Sequence, residues 1–270
     1  MEFLSFFQYP FIIRALIAGI LVALPAALLG LFLVLRKLSL IGDGLSHLSF
    51  GAVALGLLCG VYPFYVSVPL TVPGAFLIFR LGNKARIYGD AAIGIVSAVG
   101  VAGGVIIASL AKGFNVDLFS YLFGSLLAVS WGEIYFLALL AAATLVFIFI
   151  YYRSLFAWAF DENSARAAGV RVDFLNNVLL ILTALTVAAA VKAVGVMLVS
   201  ALLILPAASA LQGAKHFRSA LISASFFAFI AVIIGLAAAI YFNLPAGASI
   251  VIAGFFLFVL AYFRAKLLKV

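Results

Sequence analysis

The sequence predicts an all-α polytopic membrane protein with about nine transmembrane helices, eight to ten. Three observations predict it. Of the 270 residues, 68% are apolar and only 9% are charged. The mean hydropathy is +1.38. The apolar residues also come in long blocks, whereas a soluble domain of this size carries about 25% charged residues. A water-surrounded core cannot hold that apolar excess, and a bilayer can. Backbone groups in lipid must be satisfied within the segment or by a closed barrel. The blocks lack the alternation of barrel strands, so they are helices.

A helix needs about 20 apolar residues to cross the hydrocarbon layer. Blocks near that length fall at 12–35, 46–62, 64–80, 91–111, 133–152, 174–191, 194–212, 219–242 and 247–263. Leu118–Val129 is shorter and reads as an interfacial or re-entrant helix. Residues 1–270 read as a single transmembrane domain. The N-terminal block lacks a basic leader and is too long for a cleaved signal peptide, so it is expected to remain as a span.

The net charge of +8 reads as loop charge obeying the positive-inside rule, not as a nucleic-acid surface. With the loop around Arg153–Arg171 inside, thirteen of the sixteen basic residues fall at inner ends. They are Arg36, Lys37, Arg80, Lys84, Arg86, Arg153, Arg166, Arg171, Lys215, Arg218, Arg264, Lys266 and Lys269. Arg14, Lys112 and Lys192 stay outside. The N-terminus is then extracytoplasmic, the C-terminus cytoplasmic, and the home is the cell membrane.

Small residues in Gly56-x-x-x-Gly60 and Gly100-x-x-x-Gly104 predict close helix packing. Pro25, Pro69, Pro73 and Pro206 lie in or near spans and predict kinks. The lone Cys59 reads as a buried inert thiol, and no intrachain disulfide can form.

Two ionisable residues break the apolar pattern in Gly42-Asp43-Gly44-Leu45-Ser46-His47. Such groups in a membrane segment are costly and point to function. Four residues apart, they share a helix face. Carboxylate and imidazole suit zinc, manganese or ferrous iron. Gly51, one turn on, would leave room for an ion. Two ligands are too few for such ions, so a two-fold pairing of copies would complete the set. The structural alternative has Asp43 capping the second span and His47 bonding a carbonyl. Arg36 and Lys37 lie close before Asp43. The pair therefore sits either at the cytoplasmic mouth or deeper, with Gly42 and Gly44 letting the chain turn back into the membrane; the glycines favour the latter.

Other polar residues read as structural. Asp90, Asp117 and Glu133 look like helix-start acids. His216 sits in a solvated basic turn beside Lys215 and Arg218, and Lys192 is expected to snorkel to the outer surface. No Gly-Lys dipeptide occurs, which excludes a P-loop. No nucleophilic triad can be assembled either. The chain is not expected to be an enzyme or to hold a permanent cofactor. One polar loop, Asp161 to Asp173, has acids first and Gly169 after Ala and Arg, the pattern of a short helix.

The chain resembles the membrane permease of the manganese/zinc/iron family of ABC importers. Four stretches carry the likeness. They are Arg36–His47; Gly89-Asp90-Ala91-Ala92-Ile93-Gly94-Ile95; Asp117-Leu118-Phe119-Ser120-Tyr121-Leu122-Phe123-Gly124; and Val194–Ala207, followed by Leu244-Pro245-Ala246-Gly247-Ala248. The resemblance implies a type II ABC importer-like permease that forms the pathway as a homodimer. It also implies a separate cytoplasmic ATPase that hydrolyses ATP and an extracytoplasmic metal-binding protein. It places the family's Asp-x-x-x-His on Asp43 and His47, with Zn2+, Mn2+ or Fe2+ as cargo. Its coupling helix falls on residues 161–170, with Asp161, Glu162, Ala165, Arg166 and Gly169 meeting the ATPase. Ser125 stands where the family often has a second acid. Two rivals differ in class: an iron-siderophore or vitamin B12-type permease, and a stand-alone secondary metal transporter with Asp43 and His47 as a proton relay.

Overall fold

The computed structural model describes residues 10–84, 89–110, 121–122, 124–196 and 198–267, with side chains at all of these except 82–84 and 127. Among them the regular structure is helical, without strands. The helices are α1 (Pro10–Leu35), α2 (Ile41–Leu58), α3 (Pro63–Lys84), α4 (Gly89–Leu110), α5 (Trp131–Ile150), α6 (Tyr152–Phe160), α7 (Glu162–Ala167), α8 (Val172–Val194), α9 (Val199–Gly213), α10 (Phe217–Phe242) and α11 (Ala246–Leu267), plus a 3-10 turn at Leu126–Ala128. Eight are long and apolar enough to cross a membrane, namely α1–α5, α8, α10 and α11. The all-α polytopic expectation therefore holds. The block at 194–212 differs: α9 has 15 residues, about 22 Å, because the helical run breaks at Gly195, whose carbonyl accepts from Leu198 N–H at 3.2 Å. Arg86, Lys112, Asp117, Lys269 and residues 118–120 and 123 of the block Leu118–Val129 lie outside the described residues.

α1 is the axis of the bundle and packs against α5, α8, α9 and α10, while α2 lies between α3 and α4. Glycines set the closest approaches. A Cβ on Gly100 would lie 2.7 Å from Leu48 Cα, and one on Gly104 3.2 Å from Gly51 Cα. The small-residue reading holds there, since only hydrogen lets these backbones meet. It does not hold at Gly60, whose φ of +67 closes α2 by letting Val61 N–H reach the Gly56 carbonyl at 3.0 Å. Gly60 is a left-handed helix terminus. Pro25, Pro69, Pro73 and Pro206 all fall inside helices.

Two expectations are corrected. Cys59 is exposed, because it lies just past the end of α2 rather than inside a span. Lys192 does not snorkel. Its side chain is 17% exposed, and its Nζ donates to both Glu133 carboxylate oxygens at 2.8 Å. Tyr62 Oη donates to Glu133 Oε1 at 2.7 Å. Glu133 is also the helix-start acid expected: with Ser130 it forms a reciprocal cap on α5. Burial, then the nearby Glu133 carboxylate, pushes the Tyr62 phenol well above its ordinary range, so it stays a donor. One carboxylate thus ties the ends of α8 and α5 to the α2–α3 turn. Removing one partner of a buried pair leaves the other charge uncompensated. Lys192→Met is expected to destabilise the folded chain by about 3 kcal/mol. The double change Lys192→Met with Glu133→Gln is expected to recover part of that loss, in unfolding measurements in detergent.

Candidate metal site and coupling helix

The first turn of α2 is built around Leu203 of α9. A Cβ on Gly30 would fall 1.9 Å from the Leu203 carbonyl oxygen, and one on Gly42 2.4 Å from its side chain. Leu203 therefore wedges between α1 and α2, level with both glycines. Gly30 lies six residues before Arg36, about 9 Å along the helix, so the start of α2 sits that far inside the bundle. The inward turn is not made by Gly42 and Gly44, which are helical. It is made by Lys37, whose φ is +58, with Leu38 N–H on the Leu33 carbonyl at 2.8 Å. This is a helix-terminating turn normally given to glycine.

Asp43 and His47 follow on one face of α2. His47 Nε2 stands 3.6 Å from Asp43 Oδ1, and the side chains are 26% and 44% exposed, His47 the less. That gap is too long for a hydrogen bond. Neither structural alternative describes them. Asp43 is not the helix cap, a place taken by Leu40 without a side-chain bond, and no hydrogen bond ties His47 to a carbonyl among the described residues. One further polar group joins them: Ser200 Oγ, in the first turn of α9, donates to Asp43 Oδ1 at 3.4 Å. Ser200 was not legible as a site residue, because only the α9 packing brings it there. Gly51 serves packing, not ion space: a Cβ there would lie 2.7 Å from the Gly100 carbonyl oxygen. Among the described residues no three His, Cys, Asp or Glu side chains come together. One chain brings together a carboxylate, an imidazole and a hydroxyl, with the first two partly exposed.

The other predicted site is the helix α7, with Asp161 as its cap. Asp161 Oδ1 accepts from Asn163 N–H at 2.9 Å and Ser164 N–H at 3.3 Å, and Oδ2 from Ser164 Oγ at 2.5 Å. The Ser164 hydroxyl, then the backbone N–H groups, hold its carboxyl below the usual range. The folded value lies below the unfolded one. The cap therefore adds stability above the ordinary Asp range near pH 3.9 and loses it as pH falls through the folded value. Gly169, φ +80, ends the helix, with Val170 N–H on the Ala165 carbonyl at 3.0 Å. Ala165 is buried. Arg166 forks onto Asp173 at 3.0 and 3.2 Å and reaches Glu162 at 3.3 Å.

Glu162 also pairs with Arg36, and the Arg36 guanidinium lies 4.8 Å over the ring of Trp158. Trp158 belongs to α6, which lies where the sequence predicts a loop, and its side chain is fully buried. Arg36 therefore joins α7 to the turn that leads into Asp43, five residues before α2 begins.

The chain has relatives among known proteins. A family model described as "ABC 3 transport family" matches residues 8–265. The manganese transport system membrane protein MntC of Listeria monocytogenes is 34% identical over 96% of this chain and 92% of its own length. The high-affinity zinc uptake system membrane protein ZnuB of Haemophilus influenzae is 33% identical over 96% and 99%. Among solved structures, a chain of PsaBC from Streptococcus pneumoniae, in complex with Fab, superposes with a TM-score of 0.86 at 35% identity, covering 97% of this chain and 94% of that one. A metal-chelate type ABC transporter in an inward-facing conformation shares the fold, with a TM-score of 0.65 at 20% identity. The family resemblance is thereby established, and the chain belongs to the ABC 3 transport family.

Proposed function

We propose that this chain is the permease subunit of an ATP-driven importer for a divalent transition metal ion, and that two copies of it line the pathway. The carrying observation is the Asp43–His47 pair with Ser200 beside it. It is a carboxylate and an imidazole on one face of a helix, partly open and about 9 Å inside the bundle. Relatives named for manganese and zinc transport support that class of cargo; Fe2+ shares the same ligand chemistry. Zn2+ and Mn2+ take four to six ligands. Asp43 and His47 from each of two copies supply four, which supports a homodimer over a lone chain.

In this reading the metal is cargo, delivered at the outer mouth by an extracytoplasmic binding protein. The pair replaces part of its hydration and must release it again. ATP is bound and hydrolysed by a separate cytoplasmic ATPase docked on residues 161–170, with Asp161, Glu162, Ala165, Arg166 and Gly169 as the contact. The positive-inside bias puts that end in the cytoplasm, with the N-terminus outside and the C-terminus inside. Residues 1–270 act as one transmembrane domain. Motion of α7 passes through Glu162 and Arg36 to the turn before α2.

Two outcomes test this. In proteoliposomes holding permease, ATPase and binding protein, Asp43→Ala or His47→Ala is expected to lower 54Mn or 65Zn uptake at least about a hundredfold, beyond the ten- to hundredfold typical of an outer-shell partner. The ATPase should still co-purify. Ser200→Ala should cost only a few-fold. Undiminished uptake in Asp43→Ala would remove the pair from the pathway. Uptake without ATP or ATPase would favour a stand-alone transporter instead.

The second outcome concerns coupling. Glu162→Ala breaks the link from α7 to Arg36. It is expected to lower uptake per ATP hydrolysed about tenfold, one decade being about 1.4 kcal/mol of coupling. Metal binding at Asp43 and His47 should be unchanged by equilibrium dialysis.

A further inference from the structure

A large groove lies on the face of α1 turned away from α9. It measures about 960 Å3 and is formed by α5, α6 and α10 over Leu28. Leu28 and Gly30 are two residues apart, so they point to nearly opposite sides of α1. The groove therefore backs onto the helix that Leu203 braces from the other side. Its walls are apolar, with Phe149, Leu221 and Ile222 among them. Phe149 is 85% exposed and Ile222 61%, which in a membrane protein is a lipid-facing surface.

One end of the groove is different. Arg153, in the first turn of α6, and Arg218, in the first turn of α10, both line it. Both are exposed. The ion pairs among the described residues involve Arg36, His47, Arg166 and Lys192, and none includes Arg153 or Arg218. Two unpaired guanidiniums at the end of an apolar trough match one kind of occupant. An anionic phosphodiester would sit between them, and acyl chains would lie along Phe149 and Ile222. Arg prefers such oxygens because its planar fork pairs them two at a time. The N-terminal N–H groups of α6 and α10 add positive potential at the same place. Basic pockets between helices at a membrane surface recognise lipid headgroups on this principle.

We propose that this groove is a binding site for an anionic phospholipid, in the leaflet at the α7 end of the bundle. The bound lipid braces α1 against α9 from behind. This does not depend on which metal is carried, nor on whether Asp43 and His47 bind it.

The test uses the full-length permease in detergent, with phosphatidylglycerol or phosphatidylcholine as the added lipid. Native mass spectrometry should show phosphatidylglycerol retained at least about fivefold over phosphatidylcholine. Arg153→Gln with Arg218→Gln should abolish that preference while leaving the lipid-free melting temperature unchanged. Should the double variant misfold, wild-type protein still decides. Phosphatidylglycerol must raise its melting temperature more than phosphatidylcholine does, and 1 M NaCl must erase the difference. Equal retention of the two lipids by wild type would overturn the proposal. It would also fail if the double variant kept its lipid preference but lost its dimer or its ATPase. The groove's basic end would then be a protein interface.

Discussion

The fold turns on one contact, the wedge of Leu203 between Gly30 and Gly42. The Leu203 carbonyl occupies the place where a side chain on Gly30 would begin, and its isobutyl group fills the corresponding place at Gly42. In lipid there is no hydrophobic gain from burying one apolar helix against another. Association depends on packing and on close approach. Here that approach sets a depth as well as a distance. A helix of 15 residues cannot span, so its first turn must lie within the bundle. Seating Leu203 against the two glycines places Ser200 beside Asp43, and the polar site follows from an apolar contact.

The scarce charges are spent in the same economical way. Eight acids serve 270 residues, and several do two things. Glu133 caps α5 and neutralises Lys192. Glu162 holds Arg36 across the bundle end and Arg166 within α7. Arg36 in turn covers Trp158, a contact of about 0.5–2 kcal/mol. The two ends of the molecule are thus fastened by ion pairs, while the middle is fastened by shape. Asp43 differs from these two glutamates: the cationic candidate beside it among the described residues is an imidazole too far away to bond.

Much of this was legible in the sequence. The spans were readable because block length and the absence of charge are local properties. So were α7, with its acid cap and Gly169, and the Glu133 cap of α5. What could not be read was which helix faces which. Lys192 looked like a solvated outer lysine because Glu133 lies 59 residues away. Ser200 looked like one more small residue in a span. Gly51 and Gly60 have the same side chain, yet one is a helix crossing and the other a left-handed turn. Lys37 occupies a backbone conformation that sequence assigns to glycine, so the inward turn was placed five residues late. Cys59 lies outside the span because α2 ends at Leu58, short of the end of the apolar block.

The Ser200–Asp43 bond has a consequence for how such a site can work. At 3.4 Å it is long and therefore weak, yet it supplies a donor to a carboxylate that water reaches only in part. A net hydrogen bond of this kind is worth about 1 kcal/mol or less. The carboxylate is held in place between α2 and α9 without being committed. In the proposed reading, a divalent ion arriving at Asp43 and His47 would displace only this weak bond, and the hydroxyl could re-form it when the ion leaves. A tighter partner, such as the lysine that Glu133 has, would have closed the site to any cation. α2 and α9 meet here through Leu203, the close approach of Gly42 to Ser200 and the weak polar contact. A small tilt of α2, passed up from Arg36, would therefore alter the spacing of Asp43, His47 and Ser200 without breaking any strong interaction. That combination of rigid apolar seating and loosely held carboxylate suits the bind-and-release cycle of the proposed reading.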